Sequence, residues 1–359
     1  MLFFWLILVF VLGAAVGSFL NVCFYRLPRE MSLLWPASRC GHCFQPIRWY
    51  DNLPLLSYWA LRGRCRACGA PFSVRYFVVE LFTGLAFVAL FYAEIVRNLP
   101  GLQFLHDHQG AIRQGEVPAR AWLVFAHHAV LLSFLLVTSL CDLSDMEIPL
   151  TVTVTGAVVG LALSACFPWP FPNDIRPEDL PPVLLLGKPL PTGLYPWPVW
   201  YPLPVWLPAG SWRLGLATGL AGALAGMLVL RGVRSLFMLG RGKEGLGMGD
   251  ADLMMMAGSF VGWQPVLLSF FVAVFPALVI GLVQVARGRG EALPFGPSLA
   301  VGVLLTVLFW PEFGPRFQPV LFDPVLLALV FGTGAVALLL ASFLFRLVRG
   351  GEPEQAGGA

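Results

Sequence analysis

Charge is what this sequence has least of. Only 12% of its 359 residues are Asp, Glu, Lys or Arg, against 58% hydrophobic residues. A soluble domain normally carries about 25% charged residues, so the shortfall excludes an ordinary water-soluble globule. The stretch from Met1 to Tyr25 holds no charge at all. A cleaved secretory signal opens on a basic segment and closes at a small-residue site, and no basic residue precedes this apolar run. Residues 1–21 are therefore expected to form a retained first span with its N-terminus outside. A recognisable glycine-rich nucleotide fingerprint is also missing, so a nucleotide-like cofactor has no site that can be placed from the residues alone.

What is there comes in blocks. Apolar runs cover roughly 1–21, 77–97, 121–141, 149–167, 214–230, 251–262, 264–286, 297–310 and 325–345. Most approach the ~20 residues a spanning helix needs, whereas 251–262 and 297–310 are short. The basic residues sort cleanly between them. Eight arginines lie in 24–76, and Arg231, Arg234, Arg241 and Lys243 lie in the 231–243 loop. Arg287 and Arg289 mark a third basic segment, Arg346 and Arg349 a fourth. If every block spans, all four basic segments share one face, which the positive-inside rule makes cytoplasmic. The expected fold is an all-α polytopic membrane protein of about eight or nine transmembrane helices with a small zinc-ribbon-like cytoplasmic loop. Its parts are a first span (1–23), the loop (24–76), a helical core (77–310), a further span (325–345) and a disordered tail (346–359). On the outer side, 98–120 reads as a solvated loop. Residues 167–212, with thirteen prolines and five tryptophans, read as an irregular segment on the membrane surface, because Pro blocks helix and Trp favours the interface.

The 24–76 loop carries two C-x2-C pairs, Cys40/Cys43 and Cys65/Cys68, 21 residues apart. Each pair can turn two thiolates onto one metal, and two such turns complete a tetrahedral zinc site. A reducing cytoplasm disfavours the alternative of two disulfides. Four thiolates leave no position for water, so the metal is read as structural. His42 is expected to be a solvated spacer. Cys23, Cys141 and Cys166 are expected to be packing residues.

Acids near span boundaries are few: Glu80, Glu94, Asp142, Asp145, Glu147, Asp250 and Asp252. Asp142 ends the third apolar block and Asp250 begins the sixth, in "GLGMGD", both on the cytoplasmic side by charge. Two carboxylates together at a water-accessible face can share a proton, one activating water while the other polarises a carbonyl. The simpler reading of Asp250 is a helix N-cap. Glu80 is expected to pair with Arg75 or Arg26, and Asn21 to bond between helices. Asp145 and Glu147 are expected to be solvated. His127 and His128 lie in an apolar block with no matching acidic cluster, as buried interhelical groups. Two other classes of function remain open: a proton-coupled transporter, which needs acids deep within spans, and a non-catalytic zinc-ribbon scaffold.

Several stretches, in order, resemble the type IV prepilin peptidases, bifunctional leader peptidase/N-methyltransferases of the bacterial inner membrane. They are "GSFLNVCFYRLP" (17–28), the two C-x2-C pairs, "SVRYFVVELFTG" (73–84), "DLSDMEIP" (142–149), "GMGD" (247–250) and "PFGPSLAVG" (294–302). The resemblance implies that Asp142 and Asp250 form the catalytic dyad of a GxGD-type aspartic protease. The implied substrates are prepilins or pseudopilins with a basic leader and a hydrophobic N-terminal helix, cut at the cytoplasmic face. Methylation of the new N-terminus from S-adenosylmethionine is implied too. The other partner is the lipid bilayer, with no nucleic acid. The sequence departs from the family at Phe77 (usually Pro), Leu150 (usually acidic) and Asp252 (usually Lys).

Overall fold

The computed structural model describes residues 1–33, 35, 37–166, 184–185, 188–189, 205–208, 211–242, 246–287 and 294–349. Most of the Pro/Trp-rich stretch and residues 350–359 of the tail lie outside the described residues. Among the described residues the regular elements are helices, apart from one hairpin of two-residue strands, Leu184–Leu185 with Lys188–Pro189, and the four-cysteine loop is largely irregular.

Helices α1 (Leu2–Arg26), α2 (Leu56–Ala60), α3 (Arg75–Phe91), α4 (Gln103–Asp107), α5 (Gln109–Gln114), α6 (Ala119–Asp145) and α7 (Leu150–Cys166) build the first half. The second half holds α8 (Trp212–Arg241), α9 (Met248–Val261), α10 (Trp263–Ala286), α11 (Gly296–Leu308), α12 (Trp310–Phe322) and α13 (Pro324–Arg349). Six segments are long and apolar enough to cross a membrane: Leu2–Arg29, Arg75–Val96, Ala119–Asp145, Trp212–Gly240, Trp263–Ala286 and Pro324–Leu344. Helices α7, α9 and α11 are shorter and pack against these six.

Two contacts fix the ends of the bundle. At one end the Trp5 indole donates to the Gly115 carbonyl (2.8 Å), tying the start of α1 to the loop before α6. At the other, Arg75 at the start of α3 donates to Ser144 Oγ at the end of α6 (2.7 Å) and lies 3.9 Å from the Phe24 ring centroid. The four-cysteine loop joins α1 to α3 at this second end, which also holds Asp142.

The 98–120 stretch is not a solvated loop. It folds into α4 and α5, and Leu102, Phe104, Leu105 and Ile112 are buried with Phe91, Ile95 and Trp310 in one apolar cluster. Its polar residues hide this, because its inward apolar side chains are too few to form a block.

Small residues let the helices approach closely. A Cβ at Gly222 of α8 would stand 2.0 Å from the Gly258 carbonyl oxygen of α9, and one at Gly258 only 2.1 Å from that of Gly222. Packing at backbone contact is what drives helix association where lipid removes the hydrophobic incentive. It also explains why a 14-residue helix holds its place. The "LMMM" run belongs to the same interface: Leu253, Met254 and Met256 are fully buried packing residues.

A buried acid sits deep in the bundle. After α3 the chain makes a π-type turn, Tyr92–Val96, that carries Glu94. Its Oε1 meets His128 Nδ1 of α6 at 2.5 Å, with both side chains buried. The neighbouring His127 Nε2 lies 3.1 Å from the Phe260 carbonyl oxygen of α9. The sequence reading found no acid to match these histidines; the π-type turn supplies one from another helix. Breaking a buried pair strands its partner and costs about 3–5 kcal/mol, while replacing both members with apolar residues is far milder. Glu94→Ala should therefore lower the thermal midpoint in detergent markedly, and Glu94→Leu with His128→Leu should restore most of it.

Candidate active site and metal centre

Asp142 lies one turn before the end of α6, where the chain reverses through Met146 in the left-handed region (φ 54°), its N–H bonded to the Asp142 carbonyl (3.1 Å). The Asp142 side chain is buried, and its Oδ2 accepts the backbone N–H of Gly296, the first residue of α11, at 2.8 Å. A helix N-terminus favours negative charge. Gly296 is tight against this carboxylate: an added Cβ would stand 2.8 Å from Asp142 Oδ2.

Asp250 falls in the first turn of α9, whose N-cap is Gly247. Asp250 is thus not itself the cap. Its carboxylate instead accepts the Gly247 backbone N–H, reaching back as the third residue of a capping box does. The residue between them, Gly249, lets α9 meet the turn after α6, since a Cβ there would stand 2.8 Å from Ile148 Cβ. This approach puts the two carboxylates within direct electrostatic reach of each other. The structure thus gathers Asp142, Asp250 and the Gly296 N–H at one end of the bundle.

The other acids stay apart from this pair. Asp252, on a different side of α9, meets Arg231 of α8 at 3.4 Å. Asp145 and Glu147 are exposed. Glu80 does not pair with Arg75 or Arg26. Its Oε2 accepts the Leu55 N–H at 2.8 Å and it bonds Ser18, pinning the four-cysteine loop to α1 and α3. Asn21 bridges helices as expected, donating to the Tyr76 carbonyl (3.1 Å). Cys23 and Cys141 are buried packing residues, while Cys166 is exposed. The Gly296 N–H is the element sequence reasoning missed. Its signal was the Pro-Phe-Gly-Pro start of α11, which sets a glycine N–H at a helix N-terminus.

Gly296→Ala should push Asp142 Oδ2 aside and cost at least about tenfold in turnover, because misplacement near 1 Å can cost 100-fold. Thermal stability should stay near wild type; equal losses of both would make Gly296 a packing residue only.

The four-cysteine cluster is built from a repeat. Residues 39–46 and 64–71 share R-C-x-x-C-x-x-P, and each closes with a bridge, Arg39 to Pro46 and Arg64 to Pro71. Each also places its fifth residue after the arginine in the left-handed region, Phe44 (φ 59°) and Gly69 (φ 69°). The sulfurs of Cys40, Cys43, Cys65 and Cys68 all lie within 4.8 Å of one another, and Cys40 and Cys68 are 3.9 Å apart. A tetrahedron of 2.3 Å metal–sulfur bonds has edges of about 3.8 Å, so the four fit one ion. His42 stands outside the cluster.

Backbone N–H groups of Cys43 and His42 pull the Cys40 thiol down to about 6. The Ala70 N–H favours a Cys68 thiolate as well, but burial and the other three sulfurs outweigh it and push that thiol up to about 11. Four thiolates cannot coexist without a cation, and a bound cation removes the conflict. Arg66, inside the second turn, makes a two-pronged ion pair with Asp51 (2.6 and 2.8 Å) that braces the centre.

The class the structure defines is an all-helical membrane protein with two aspartates and a four-cysteine loop at one end. The particular family follows from comparison with known proteins. Residues 11–94 match the bacterial peptidase A24 N-terminal domain, and residues 190–282 match the type IV leader peptidase family. A prepilin leader peptidase/N-methyltransferase of Burkholderia pseudomallei is 31% identical over 84% of this chain and 85% of its own length. One of Aeromonas hydrophila is 31% identical over 84% of this chain and 90% of its own. One of Myxococcus xanthus is 32% identical over 79% of this chain, which spans 64% of that longer relative. No solved structure matches. The chain belongs to the prepilin leader peptidase/N-methyltransferase family of membrane peptidases.

Proposed function

We propose that the chain removes the basic leader of type IV prepilins or pseudopilins at the cytoplasmic face of the inner membrane, and then methylates the new N-terminus. The observation that carries the peptidase half is the juxtaposition of Asp142 and Asp250 at one bundle end, 108 positions apart in sequence. Two carboxylates so placed share one proton. The ionised member takes a proton from water as the oxygen attacks the scissile carbonyl carbon. The protonated member donates to the carbonyl oxygen, giving a neutral tetrahedral diol. Its collapse breaks the C–N bond: the amine leaves with the proton taken from water, while a diol hydroxyl returns its proton to the carboxylate that had donated, restoring the pair. The substrate's apolar helix stays among the spans while its basic leader lies on the arginine-rich, cytoplasmic side.

Zinc held by Cys40, Cys43, Cys65 and Cys68 is structural, since four thiolates leave no open position. S-adenosylmethionine supplies an electrophilic methyl group on a sulfonium. A transporter would need acids deep within the spans; Glu94 is one, but His128 closes it off, and the dyad lies at one end.

The test uses purified protein in nanodiscs with a full-length prepilin and S-adenosylmethionine, read by mass spectrometry. The expected products are a free leader and a mature chain heavier by one methyl group. An uncut prepilin would overturn the peptidase assignment, and a cut, unmethylated one the second half.

A further inference from the structure

A cleft lies beside α1 at the end of the molecule that holds the four-cysteine loop. It has a volume of about 380 Å³ and opens between α1 and the four-cysteine loop, with Ser18, Val22, Arg26, Ser38, Asn52 and Pro54 among its walls. On α1, Ser18, Val22 and Arg26 share this face, while Leu20 and Cys23 pack with Val137 and Cys141 of α6. No residue of α6, α9 or α11, which carry Asp142, Asp250 and Gly296, lines the cleft. We propose that this cleft binds the sulfonium methyl donor. The inference rests on the methyltransferase half of the function proposed above.

Three features fit such a ligand. The volume suits a single nucleoside-sized molecule, within the usual range of about 300–1,000 Å³ for small-molecule sites. Charge is arranged for a zwitterion that carries an extra positive sulfur. Arg26 is buried at the floor, where its Nη1 holds the Ser32 and Leu33 carbonyls (2.8 and 3.2 Å) and fixes its guanidinium for a carboxylate. Behind the Ser18 and Pro54 walls lies the Glu80 carboxylate, bonded to Ser18 and to the Leu55 N–H, which favours positive charge nearby. Finally, Ser38 and Asn52 offer hydroxyl and amide groups for sugar or base edges.

The walls also explain why a metal-stapled loop sits here. Ser38 precedes the first C-x2-C turn, and Asn52 and Pro54 lie between the two turns. Asp51, next to Asn52, is held by Arg66 of the second turn. Leu55 takes a strained positive-φ conformation (φ 64°, ψ −48°), and its N–H reaches Glu80. Without the metal, this half of the cleft is held only by the Asp51–Arg66, Glu80–Leu55 and Arg26 contacts.

The experiment uses full-length, zinc-loaded protein in nanodiscs and measures equilibrium binding of S-adenosylmethionine and S-adenosylhomocysteine. Two variants probe the cleft, Arg26→Gln at the floor and Ala37→Trp, which fills it from an exposed loop position. Prepilin cleavage, run by the separate dyad, serves as the folding control. The proposal expects both variants to weaken donor binding at least tenfold in protein that still cuts. S-adenosylhomocysteine should lose less than S-adenosylmethionine when Glu80→Gln removes the charge behind the wall. If wild type binds donor and methylates while both variants bind as wild type does, the cleft assignment is overturned and the function stands. If wild type cuts but neither binds donor nor methylates, the methyltransferase reading falls and takes this proposal with it. If the variants alter only co-purifying anionic lipid, the cleft is a headgroup site and the proposal is wrong.

Discussion

Asp142→Asn and Asp250→Asn should each reduce prepilin cleavage by at least about 1,000-fold while leaving the protein folded and its metal bound. Asn nearly preserves the volume and polarity of Asp, so the packing of α6 against α9 and α11 survives. What Asn cannot do is hold or pass the shared proton, and loss of one member of a catalytic unit typically removes most of the rate. In Asp142→Asn the Gly296 N–H still finds an oxygen acceptor, so the 2.8 Å contact of the native site need not break. In Asp250→Asn the Gly247 N–H is likewise still satisfied. Asp252→Asn should behave differently, because Asp252 meets Arg231 rather than the dyad; activity within about threefold of wild type is expected, as for a partly exposed ion pair. Near-normal cleavage by either dyad variant, or collapse of Asp252→Asn, would move the chemistry elsewhere.

Removing the metal should have the second largest effect, and a different one. Among the described residues between Met31 and Val74 only Gly63 is buried, so this loop has almost no core of its own. Structural zinc sites supply about 10–16 kcal/mol in comparable small domains, and folding there is inseparable from metal binding. Wild-type protein should carry one zinc per chain, and a Cys43→Ser, Cys68→Ser variant none. Trypsin sites at Arg62, Arg64 and Arg66 should then be cut at least about 100-fold faster, which needs only about 2.8 kcal/mol of lost protection. The membrane helices should remain intact in the same digest. A loop that stays protected without metal would show that Glu80–Leu55, Asp51–Arg66 and the Arg26 contacts suffice. Because thiols must lose protons to bind, zinc should also leave as pH falls.

The elements legible in the sequence were those written locally. Apolar blocks marked the long helices, and alternating basic loops predicted that the cysteine loop and both aspartates would share one end. The C-x2-C pairs located the four-sulfur cluster, although the full R-C-x-x-C-x-x-P repeat, which makes its halves alike, became visible only with the two matching bridges. The rest depended on pairing between distant residues. Glu94 meets His128 because a π-type turn rotates it inward, and no periodicity encodes that turn. The Glu80 partner is a backbone N–H at Leu55, not the arginines that charge alone suggested. Gly296 reached Asp142 across 154 positions, so its role could be found only once α11 was placed. The 98–120 segment misled because a folded cap with a few inward apolar residues has the composition of a loop.

The central claim is that Asp142 and Asp250 act as one unit, and a double-mutant cycle tests it most directly. Single-turnover cleavage of one membrane-embedded prepilin would be followed with wild type, each Asn variant and the double variant, at equal zinc content. If the two carboxylates share one proton and one water, removing the second after the first costs almost nothing, so the double variant matches the singles. Losses that multiply, or a single variant retaining more than about a tenth of wild-type rate, would contradict the shared-proton account.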